Sequence, residues 1–123
     1  VTWSIPLGFN QAEMVSGSSR TLHISGQTAV DSAGAPQHEG DMAAQIALTL
    51  DNLEVVLDHA DMSLSNLVRL NVYCTDIDEL LRNYGVMAAR LGAAGAAHAA
   101  TMLGVTRLAI PGQLIELEGT AVA

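Results

Sequence analysis

The stretch from Asp41 to Ala60 constrains this chain more than any other, because Met42, Ile46, Leu50, Leu53, Leu57 and Ala60 recur at spacings of four and three. Those spacings line up along one stripe of an α-helix, while Asp41, Gln45, Asn52 and Asp58 fall on other faces. A helix with one apolar stripe needs another layer to cover it. A second helix is expected from Asp76, which has with Glu79 the spacing of an N-terminal cap. Its stripe continues through Leu80, Tyr84, Met87 and Leu91 and should end around Gly92 or Gly95.

The covering layer is written in shorter segments. Leu22 and Ile24 alternate with His23 and Ser25, as in a strand with one buried face. Ala12 to Val15 and Arg20 to Gln27, separated by Ser16-Gly17-Ser18-Ser19, read as a hairpin, and Asp31 to Gly40 as a loop. Leu67 to Cys74, Thr101 to Val105 and Leu114 to Val122 read as further strands. A turn at Pro111-Gly112 should take type II geometry, because glycine accepts a positive φ. The order β, β, α, β, α, β, β predicts a mixed sheet with two helices on one face. On the first of these strands Val68, Leu70, Val72 and Cys74 should oppose Leu67, Arg69, Asn71 and Tyr73. On the last, Ile115, Leu117 and Gly119 should oppose Leu114, Glu116, Glu118 and Thr120. The second face is therefore mixed in polarity, which suits a wet contact between copies in a closed ring or dimer.

At 123 residues the chain has the size of one domain, and no repeat or linker divides residues 1–123. Thirteen acidic residues against five basic ones give a net charge of -8, which disfavours nucleic acid and anionic membranes. Neither a signal peptide nor a membrane span is read in the chain, and the lone Cys74, in an apolar run, suits a reduced compartment, so a cytoplasmic location is expected. His23, His38 and His59 lack metal-ligand spacing, and no dinucleotide fingerprint or phosphate loop occurs; neither metal nor cofactor is expected.

Four segments together carry a resemblance: Leu22-His23-Ile24-Ser25-Gly26-Gln27, Leu50-Asp51-Asn52-Leu53, Leu67 through Asp76, and Ile115-Glu116-Leu117-Glu118. In content, order and spacing they resemble the RidA/YjgF family of reactive-intermediate deaminases. The resemblance implies an α/β (α+β) chorismate-mutase-like fold with about six strands and two helices on one face. It also implies a homotrimer around a central barrel, with small-molecule clefts at the subunit boundaries. Deaminase members clamp a substrate carboxylate with an arginine and orient water with a glutamate on the last strand. Here Ala100 stands at the arginine position, Met102 at that of a common cysteine, Phe9 at that of a tyrosine, and Tyr84 at that of an asparagine. Without a guanidinium to make two parallel charge-assisted bonds, the chain resembles the branches that do not process amino-acid-derived enamines.

Glu116 matches the water-orienting glutamate; the alternative is a structural carboxylate paired between subunits with Arg69. Ser25 and Gly26 match a cleft-lining turn, or else simply end a strand. Phe9, Tyr84, Ala100, Thr101 and Met102 would line the pocket, although Tyr84 also fits the helix stripe and Thr101 an ordinary strand. His98 is a tempting substitute cation, with a solvated loop histidine the preferred reading, and Arg107 should face away from the vacant clamp. Two functions stay open: hydrolysis of a neutral or atypical imine or enamine, and metabolite binding without catalysis. Ribonuclease activity fits an acidic chain poorly.

Overall fold

The apolar stripe that opens at Met42 becomes helix α1 (Met42–His59). Asp41 caps it, a side-chain oxygen accepting the Ala44 N–H at 3.1 Å. Ile46, Leu50, Leu53 and Leu57 are fully buried along its inner side, each contributing about 1.5–3 kcal/mol of burial. The computed structural model describes residues 2–123; Val1, the first residue of the expected single domain, lies outside them.

After strand β1 (Thr21–Gln27) and α1 come β2 (Leu67–Cys74), α2 (Ile77–Arg82), α3 (Tyr84–Ala93), β3 (Ala99–Gly104) and β4 (Ile115–Val122). The sheet order is β1-β4-β2-β3, with β2 and β3 parallel and the other pairs antiparallel. The mixed α+β architecture is thus present, but with four strands among the described residues rather than about six. The hairpin expected from Ala12 does not form. The Ser19 and Arg20 amides both donate to the Ala123 carbonyl, so β1 enters the sheet against β4, and residues 12–15 run outside the ladder with Met14 exposed.

The second predicted helix is broken in two. Asp76 caps α2 through the Glu79 N–H at 3.0 Å, as its spacing predicts. Asn83 then turns its side-chain amide onto the Glu79 carbonyl four residues back, at 2.9 Å, and α3 restarts at Tyr84. Such side-chain competition for backbone groups is why asparagine interrupts helices. Arg90 of α3 ties the helices together, donating to the Ala47 carbonyl of α1 and to Asp51 and Glu54 at 2.7 Å each.

Strand polarity departs from simple alternation at one point. The pairing shifts between Leu67 and Arg69, and this irregularity puts Leu67 in the core with Leu70, although alternation alone assigns it to the opposite face. The β3–β4 connection does make the expected type II turn: Gly112 has φ +83° and the Gln113 N–H donates to the Ile110 carbonyl at 3.2 Å. Gln45, on a polar face by periodicity, is instead fully buried. Its amide donates to the His38 and Gly112 carbonyls at 3.1 and 3.0 Å and its oxygen accepts the Leu114 N–H at 2.7 Å, fastening the turn to α1. Among the described residues no helix is long and apolar enough to cross a membrane.

Candidate functional site

On the face of the sheet away from the helices, Glu116 stands opposite Tyr73 of β2, half-buried. Its neighbour on the other side is a gap in β1. The β1–β4 register shifts between Ile24 and Gln27, so Ser25 and Gly26 drop out of that register, and the Ser25 carbonyl accepts from the Gln27 side-chain amide at 3.2 Å. What Gly26 supplies there is room for the Glu116 carboxyl rather than a positive φ. A Cβ at that position would overlap Glu116 Oε2 and lie 2.7 Å from Glu116 Cδ. The Ser25-Gly26 bulge and the Glu116 carboxyl therefore form one contiguous group.

Glu116 and Glu118 share a strand face but not an environment. Glu118 accepts hydrogen bonds from Tyr73 Oη and, at 3.1 Å, from Asn71 Nδ2, and these hold its carboxyl below the usual range. Glu116 has no hydrogen bond among the described residues; burial first, and then the Glu118 charge, push its pKa up. The ion pair with Arg69 is not made. Arg69 instead donates to Asn71 at 3.0 Å and to the Thr101 hydroxyl.

The remaining sequence-predicted residues gather on the other side of the sheet. Phe9, Tyr84, Ala100 and Met102 line a cavity of about 270 Å3 between β3, α3 and the residues before β1, floored by Leu70 and Val72. Thr101 borders the same cavity, but its side chain lies on the open face with Asn71, where its hydroxyl accepts from Arg69. Tyr84 is both pocket wall and part of the helix stripe, packing against the core, and its hydroxyl donates to the Leu7 carbonyl at 3.0 Å, pinning the Ile5–Leu7 turn over the cavity. Ser25 and Glu116 do not reach this wall.

His98 corrects the sequence reading. It is no solvated loop residue: it is 2% exposed, its carbonyl accepts the Asn10 N–H at 2.8 Å, and its ring forms part of the cavity wall. Nor is it a substitute cation, because burial depresses its pKa despite an opposing pull from Glu13, and the ring is neutral at neutral pH. The signal that could have found it is local: Ala96, Ala97, Ala99 and Ala100 surround it, leaving room for one ring to turn inward. Arg107 does lie apart from the cavity, exposed on the loop before Pro111. Among the described residues no group of three or more His, Cys, Asp or Glu could hold a metal ion.

The family model described as Endoribonuclease L-PSP matches residues 8–123. The chain belongs to the RidA/YjgF family. A Rid-family protein of unknown function from Yersinia pestis, YyfB, is 38% identical over 98% of this chain and 90% of its own, with a TM-score of 0.84. RidA from an Antarctic Psychrobacter species is 30% identical over 92% and 86% of the two chains, with a TM-score of 0.71. Protein DfrA of Myxococcus xanthus is 31% identical over 74 residues, 60% of this chain and 56% of that protein, so the match spans little more than half the length of that relative. Within the Rid fold of this chain, the predicted site residues form two groups on opposite faces of one sheet, Glu116 with Ser25 and Gly26, and the apolar cavity behind β3.

Proposed function

We propose that this Rid protein hydrolyses a neutral or atypical imine or enamine in clefts between the subunits of a homotrimer, with Glu116 orienting the attacking water. The observation that carries the reading is the state of Glu116, a half-buried carboxyl with a raised pKa and no internal partner, packed on a glycine whose backbone has left the ladder. Such a group has acceptor capacity to spare for water. Water adds to the C=N carbon and gives a proton to the carboxylate, which returns it to nitrogen to form a carbinolamine; the carbinolamine hydroxyl then passes its proton by the same carboxylate to the nitrogen as the C–N bond breaks, releasing carbonyl compound and amine. An enamine first takes a proton on carbon to become the imine.

Two features favour a site shared between copies. The site groups lie on opposite faces of one protomer's sheet, so a second protomer is needed to bring a cavity to a carboxyl. The open face also carries a ready polar network of Arg69, Asn71, Tyr73 and Glu118 rather than a solvated charge pattern. Neutral substrates are favoured because the cavity wall holds no charged side chain, and Ala100 offers nothing to a carboxylate. The same separation supports a second reading, ligand binding without catalysis, since the cavity has walls and floor without Glu116.

The test is imine hydrolysis by the purified protein, with imines generated from neutral and from acidic amino compounds and the assembly measured by sedimentation. Turnover of the neutral class is expected, reduced by about 100-fold or more in Glu116→Gln. Gly26→Ala should lower it comparably with little change in melting temperature, since the new methyl displaces the Glu116 carboxyl and buries nothing else. Turnover unaffected by both substitutions would remove Glu116 from the chemistry; saturable binding with no product would establish the second reading.

A further inference from the structure

Among the described residues, the cavity behind β3 is lined by one polar side chain that makes no hydrogen bond at all. Tyr84 donates its hydroxyl proton to the Leu7 carbonyl, and the Thr101 hydroxyl accepts from Arg69 on the open face of the sheet. His98 has committed neither ring nitrogen among the described residues, and its Nδ1 is buried without a partner. A neutral imidazole offers one donor and one acceptor, and a buried polar group left unpaired is costly enough to call for a partner. The rest of the lining is Leu, Val, Phe, Met and Ala.

We propose that this cavity holds a neutral, largely apolar molecule about one substituted ring in size, and that His98 reads the single polar group on it. The inference deepens the cleft reading above and rests on it for the cavity's being a ligand site. Size follows from volume: an apolar cavity of about 150 Å3 accepts benzene, and about 270 Å3 leaves room for a ring with a short substituent. Charge follows from the wall. No cation lines the cavity to receive an anion, and the Glu13 charge that acts on His98 adds repulsion. Selectivity should be set by the pairing at His98, because a site built to hydrogen-bond one group discriminates against analogues lacking it.

The test is a titration near neutral pH with phenol, toluene and benzoate, three ligands that share a ring and differ in the polar group. Binding is followed by the amide resonances of residues 98–102 and the ring 15N resonances of His98. Phenol should bind at least about tenfold more tightly than benzoate and shift the His98 ring nitrogens, which toluene should leave in place. His98→Phe should weaken phenol by about fivefold or more while toluene changes little. Should that variant fail to fold, the 15N response of the unaltered protein decides alone. Benzoate binding as well as phenol, equal losses for phenol and toluene, an unmoved His98 ring, or no response of residues 98–102 to any of the three would each overturn the inference. The titration needs no turnover: a protein that binds phenol yet hydrolyses nothing loses the proposed reaction and keeps this specificity, and the converse result separates them equally well.

Discussion

Two residues apart on β4, Glu116 and Glu118 point the same way and have been driven to opposite sides of the ordinary carboxylate pKa. Hydrogen bonds from Tyr73 and Asn71 favour the ionised form of Glu118, whereas burial and the Glu118 charge favour the protonated form of Glu116. If the ionised Glu116 accepts the proton from water, the rate must fall as pH drops through that raised value, so the acid limb of the pH–rate profile should lie above the usual glutamate range. Glu118→Gln removes one of the two causes and should move the limb to lower pH; kcat/KM measured against pH checks the sign, and a limb unmoved by Glu118→Gln would separate it from Glu116. The identity of Glu116 as a candidate was legible from its strand position. Its freedom was not, because which carboxylate Tyr73 and Asn71 choose depends on cross-strand register, and the burial of His98 depends on alanines that periodicity counts as featureless.

What places Glu116 on the open face is the turn that delivers β4, and that turn is held by α1. Gln45 closes three hydrogen bonds across the gap, to His38, Gly112 and Leu114. Gln113 adds two more to the Ala29 backbone, at 2.7 and 2.9 Å. Gln45→Leu keeps the volume and strands the buried backbone groups, at about 1–3 kcal/mol for each group left unsatisfied. We expect it to lower the urea midpoint by an amount equivalent to at least about 2 kcal/mol, and to reduce turnover as well, since a slip of one residue in β4 turns every side chain to the other face. An unchanged midpoint would mean that water replaces the glutamine without loss. At this scale the helices were readable from apolar spacing and the turn from Pro111-Gly112. The errors share a cause: Gln45, Asn83 and Leu67 owe their places to hydrogen bonds and register contributed by residues distant in the chain or by side chains competing with the backbone, none of which alternation records.

For the molecule as a whole, charge bears on the activity named in the family model. Phosphate backbones are bound chiefly by Lys and Arg, with affinity set by the number of phosphates neutralised. This chain has five basic residues, all arginine, in a net charge of -8. Two are paired with carboxylates, Arg82 with Glu79 and Arg90 with Asp51 and Glu54, while Arg20 and Arg69 hydrogen-bond neutral groups, the Ala60 carbonyl and Asn71 with Thr101. Arg107 has no partner among the described residues, so at most three guanidinium groups, Arg20, Arg69 and Arg107, are without a carboxylate partner, too few to hold a phosphate backbone against the net negative charge. RNA should therefore remain intact with rigorously purified protein and show no retarded band at about 50 mM salt, where electrostatic binding is strongest. Cleavage that co-purifies with the protein but survives Arg107→Ala and Glu116→Gln would point to a contaminant; cleavage abolished by either substitution would show that a single group suffices, against the argument from charge. The same balance bears on the proposed assembly, in which each subunit would bring -8 and repel the others. Added salt should accordingly strengthen self-association while leaving phenol binding in the uncharged cavity unchanged, which makes the two equilibria separable in one titration series.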